Sequence, residues 1–86
     1  MLAMADEAQV AKLREGVGSW NIWREQNPDI LVDLSFAELQ GEILRFAKLH
    51  DVDLAFAELQ ESDLSSSNLQ GAMLGEAKLQ LSLIHI

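Results

Sequence analysis

At 86 residues and 9.5 kDa the chain makes room for one small domain, and with no cysteine it has no disulfide framework to support it. Fourteen acidic against six basic residues give a formal charge of −8, which repels phosphate backbones and anionic lipid, so neither direct nucleic-acid binding nor membrane binding is expected. No apolar run approaches the roughly 20 residues that span a bilayer, and no basic start followed by an apolar core marks a secretion signal, so the expected location is cytoplasmic.

Residues 1–30 have helical period. Val10, Leu13, Val17 and Trp20 follow 3-4-3 spacing, with Trp23 close to the same stripe. Asp6 followed by Gln9 three residues on reads as an N-cap with its capping-box partner, which starts a helix near Glu7. Gly16 and Gly18 predict a break, with a second helix from about Ser19, and Asn27-Pro28 ends it. This segment is expected to be a helical cap whose Trp20 and Trp23 cover the open end of the region C-terminal to it.

From Val32 on, the chain repeats every five residues. Leu34, Leu39, Leu44, Leu49, Leu54, Leu59, Leu64, Leu69, Leu74 and Leu79 hold one register, and the site two residues before each is Val, Ala or Ser in nine cases of ten. Glu42 is the exception. A helix would rotate successive leucines by about 140°, leaving no apolar face, and a flat strand would send alternate leucines to opposite faces. The period works if each pentad is a short extended piece followed by a corner, so that every leucine points inward. The segment Val32–Gln40 recurs as Val52–Gln60 with eight matches of nine, an offset of 20 residues or four pentads. Four corners per circuit predict an all-β fold, a right-handed parallel quadrilateral β-helix of about 2.5 coils over residues 31–81.

On these residues the sequence resembles the pentapeptide-repeat family, whose members repeat Ala-(Asp/Asn)-Leu-x-x. Val52-Asp53-Leu54, Ser62-Asp63-Leu64 and Ser67-Asn68-Leu69 are good matches, and the similarity runs from Val32 to about Gln80. Gly16-Val17 through Asn27-Pro28 is also similar to the helical lead-in of many such bacterial proteins. Glu42, Ile43 and Met73 depart from the pattern, as do the mostly non-glycine corners. Residues 82–86 are expected to form an irregular tail. The run Leu81-Ser82-Leu83-Ile84-His85-Ile86 is similar to translated adapter or vector sequence, and the natural chain is expected to carry further coils.

The chemistry-bearing residues read mainly as surface. An offset of 20 brings Asp33 to Asp53 and Glu38 to Glu58, with Lys78 beyond Glu58, on an outward face with no predicted cleft. They are read as solubilising charge rather than an acid/base pair. His50, Asp51 and Asp53 have metal-ligand chemistry but diverge around a corner, and Ser65, Ser66 and Ser67 lack a His or Cys partner. Glu42 is the one buried-charge candidate, for which local opening of the coil or help from Arg45 is expected. Phe36 and Phe56 fall one above the other at a corner, with Phe46 on the opposite corner, and form the candidate interaction surface.

These readings predict a non-catalytic structural or protein-interaction domain with no catalytic, cofactor or metal site and an unidentified protein partner. The open C-terminal end is a further expected surface for self-association. The resemblance implies an alternative, a fragment of an acidic protein that mimics B-DNA and binds a type II topoisomerase. Residues 32–86 carry nine acids against three bases, the right sign for such mimicry. Their expected height of about 12 Å is short of the several duplex turns a topoisomerase grips.

Overall fold

The computed structural model describes residues 5–84. It opens with α1 (Glu7–Arg14) and α2 (Val17–Gln26). The Asp6 carboxylate accepts hydrogen bonds from the Ala8 and Gln9 amides at 3.0 and 3.2 Å, so α1 starts where its cap residue predicts. Gln9 does not complete a capping box. Its carboxamide turns to the repeat, donating to the Leu31 carbonyl and accepting from the Asp33 amide. The helix break falls at Gly16, whose φ of 130° suits glycine alone, and α2 begins at Val17 rather than Ser19. Gly18 is absorbed into α2, which ends at Gln26 before Asn27-Pro28.

Beyond the helices each pentad closes a four-residue turn. The amide three residues beyond every repeat leucine bonds back to that leucine's carbonyl, from Ala37 to Leu34 through Ser82 to Leu79, at 2.9–3.4 Å. The third residue of each turn is left-handed: Phe36, Gly41, Phe46, Asp51, Phe56, Glu61, Ser66, Gly71, Glu76 and Leu81 all have φ of 59–74°. This is the requirement of a type II turn, yet only two of these ten residues are glycine.

Successive circuits join at the predicted offset of 20. Seven parallel bridges, from Asp33 with Asp53 through Asp63 with Leu83, link each coil to the next. At each the inner leucine amide donates along the axis, as Leu34 does to the Asp53 carbonyl at 2.8 Å, and the bridged amide returns a bond, Asp53 to Val32 at 3.2 Å. The short extended pieces are no longer than one bridged residue each among the described residues; every bridge is isolated. With most of each pentad engaged in turning, one residue per side remains free to pair.

The leucines from Leu34 to Leu64 are buried together with Val32, Ala37, Ala47, Val52 and Ala57, while Leu69, Leu74 and Leu79 are partly buried against them. Ser62 and Ser67 also occupy inward sites, where each hydroxyl donates to the carbonyl three residues back. That bond removes the penalty of an unpaired buried hydroxyl. Two expectations need correction. Residues 82–84 continue the coil instead of forming an irregular tail: Ser82 closes a turn, Leu83 bridges to Asp63 and Ile84 packs on the core. Residues 85–86 lie outside the described residues. The coil also does not open at Glu42, whose amide still reaches Leu39 and whose carbonyl still accepts from Asp63; the residue is half-buried, and Arg45 lies 3.9 Å from the Asp63 carboxylate instead.

Leu54→Ala is expected to lower stability by about 3 kcal/mol, read as a drop in the thermal midpoint by circular dichroism. At the corners the sign reverses. Glu61→Gly and Ser66→Gly are each expected to raise stability by about 0.5–1 kcal/mol in the same melts, because the left-handed conformation strains a side chain that carries a Cβ.

Candidate functional site

The first coil has no earlier coil to pair with, and the helices supply side chains in its place. Gln9 bonds the Leu31 carbonyl and the Asp33 amide, the two groups that flank Val32. Asn21 does the same around Ala47, donating to the Phe46 carbonyl at 3.0 Å and accepting from the Lys48 amide at 2.8 Å. In each case the carboxamide oxygen takes the place of the carbonyl that a preceding coil offers to a bridged amide. Asp6 donates its amide to the Asp33 carbonyl, Arg14 reaches the Glu38 carbonyl, and Arg24 reaches the His50 carbonyl at 2.6 Å. Burial lowers the Arg24 guanidinium from its ordinary value, opposed by the charge of Asp51.

Trp20 is fully buried over the first coil and donates its indole N–H to the Lys48 carbonyl at 2.9 Å. Trp23 is half-buried, its ring 5.3 Å from that of Trp20. The third side of the first coil has no such cover. Among the described residues the Ile43 amide and carbonyl have no partner, and its side chain is exposed.

The outward carboxylates have a role beyond solubility. Asp33, Asp53 and Asp63 each accept the amide two residues on, at 2.9–3.0 Å, and Asn68 does the same for Gln70. Ser35 and Ser65 add hydroxyl bonds to the same oxygens. An Asp or Asn beside the repeat leucine therefore bonds into the corner immediately after it. Met73 and Ile43 have no such group to offer. The Ser65 hydroxyl donates to the Asp63 carboxylate and the Ser67 hydroxyl to the Leu64 carbonyl, and Ser66 is a corner residue. The His50 Nδ1 is buried without a hydrogen-bond partner, and Asp51 sits at a corner. Among the described residues no group of three or more His, Asp or Glu converges as a metal site would require.

Phe36 and Phe56 stack with ring centroids 4.8 Å apart and planes 5° from parallel, and remain 43% and 48% exposed. Phe46, on the opposite corner, is more exposed and carries the Arg45 guanidinium 5.6 Å from its ring centre. A feature that the sequence gives no sign of adjoins the first pair. A groove of about 670 Å³ runs between α1 and the Phe36 corner, lined by Glu7, Val10, Ala11, Arg14, Glu15 and Glu38 along with Phe36. Gln9 and Arg14 anchor α1 to the coil beside it.

A chain that turns through four corners in twenty residues and aims one leucine inward from each pentad is a solenoid repeat protein. Its repeats match the family profile described as Pentapeptide repeats, in eight copies across residues 31–65 and 47–83, more than half of the chain. The protein belongs to the pentapeptide-repeat family. No curated protein and no solved structure matches it. No helix among the described residues is long and apolar enough to cross a membrane.

Asn21→Leu is expected to strand the Lys48 amide and Phe46 carbonyl and to destabilise the protein by about 1–3 kcal/mol, measured by chemical denaturation. Amide exchange at Lys48 is expected to accelerate with it, while exchange in the coils beyond changes less.

Proposed function

We propose that this protein is a non-catalytic interaction module: a right-handed quadrilateral β-helix that holds an outer surface in fixed geometry and engages a protein partner through its aromatic corners. The bridges at an offset of 20, the ten left-handed corners and the family membership support the architecture. One observation carries the functional reading. Phe36 and Phe56 occupy positions where the backbone favours glycine, and there they form an exposed stacked pair. Stacking returns part of the strain, about 0.5–1.5 kcal/mol, but two large rings left in water at strained corners are the residues a partner would cover.

Mimicry of duplex DNA has weaker support. The Glu38–Glu58 column has the sign for it, but Lys78 occupies the next place in that column and Arg45 lies beside Asp63.

The double variant Phe36→Ser/Phe56→Ser is expected to keep its fold and to lose the proteins that the wild type retains on a column. Retention of the same proteins by the variant would exclude the aromatic corner. Added to a type II topoisomerase supercoiling assay, the protein is expected to leave the rate unchanged; inhibition would select mimicry instead.

A further inference from the structure

The groove beside Phe36 has a chemistry of its own. Glu7, Ala11 and Glu15 are spaced by four along α1, so they share one wall, and Val10 and Arg14 form the adjoining row. The opposite wall is Phe36, Ala37 and Glu38. Its walls are apolar, its charged groups are three carboxylates and Arg14, and the Arg14 guanidinium is already bound to the Glu38 carbonyl. Glu15 has Lys12 at 3.4 Å, whereas the Glu7 and Glu38 carboxylates have no cation within bonding distance among the described residues. Glu38 also pairs across the coils with Glu58, a like charge directly opposite. The edge of the first coil adds a backbone requirement. The Asp33 and Lys48 amides on the cap side are taken by Gln9 and Asn21, but the equivalent Glu38 amide has no acceptor among the described residues.

We propose that this groove binds an extended basic segment of a partner protein, with a Lys or Arg side chain entering between Glu7 and Glu38 and its alkyl stem lying against Phe36 and Val10. A carbonyl of the same segment accepts from the Glu38 amide. The inference rests on the reading of the Phe36 corner as an interaction surface and assigns the partner's chemistry there. A cation relieves the Glu38–Glu58 repulsion, a face of Phe36 favours it further, and an extended backbone satisfies the edge donor that the helices leave open at Glu38. An acidic or purely apolar segment meets neither of the first two conditions.

The test is a titration of the isotope-labelled full chain with the capped peptide Ala-Lys-Val-Lys-Ala, beside its Ala-Glu-Val-Glu-Ala counterpart, followed by amide NMR. The basic peptide is expected to shift the Ala11, Phe36 and Glu38 amides, and binding is expected to weaken as salt rises. Glu7→Gln/Glu38→Gln is expected to weaken it roughly fivefold with unchanged circular dichroism. Equal shifts with the acidic peptide, shifts confined to Phe46 or the last coil, or no shifts at all would overturn the proposal. If column retention still depends on Phe36 and Phe56 while the basic peptide does not bind, the partner chemistry assigned here is wrong and the aromatic corner stands.

Discussion

The structure depends on the hydrogen bond that closes each corner. It joins the amide at the inward site of one pentad to the carbonyl of the preceding leucine, and at every corner of this chain the residue just before that site is left-handed, as a type II turn requires. Given that turn every five residues, the leucines converge, the coils fall into register at twenty and the bridges form. The hydrophobic core is thus a result of corner geometry as much as its cause. The site two places before a leucine lies just past the turn and inside the coil, where Ala, Val or a self-bonded Ser fits, and only at Glu42 does a larger residue take it, half-buried.

The asymmetry between the two ends has the same origin. Every bridged residue presents both its amide and its carbonyl toward the preceding coil. At the first coil these groups face the helices, which answer with the carboxamides of Gln9 and Asn21, the Asp6 backbone, the Trp20 indole and two guanidinium groups. The cap is therefore a hydrogen-bonding surface shaped to a coil edge, with a buried tryptophan at its centre. It is incomplete at Ile43 and at the Glu38 amide, and the groove lies beside the second of these gaps.

Much of the repeat was legible in the sequence because its signal is arithmetic. Ten leucines on one register and an exact-length offset of 20 leave few geometries open, and helix start and stop were readable from Asp6 and Asn27-Pro28. What escaped was set by side chains that act over long separations. Gln9 looks like a local capping partner until its 24-residue reach to Asp33 is seen, and Asn21 carries no local sign of its bond to Lys48. The aspartates read as surface charge because an Asx bond into a turn looks, in sequence, like any acidic residue. The groove lies between α1 and the Phe36 corner, segments far apart in the chain whose juxtaposition no periodicity encodes.

The direction of the coil bonds bears on how the chain assembles on the ribosome. Each bridged residue from Asp53 onward binds a stretch made twenty residues earlier, and the helices that close the first edge emerge before any coil. At about 5–20 residues per second a circuit is added every few seconds, and a finished template is always waiting for it. Such a nascent chain never has to search for a partner strand that has not yet been synthesised.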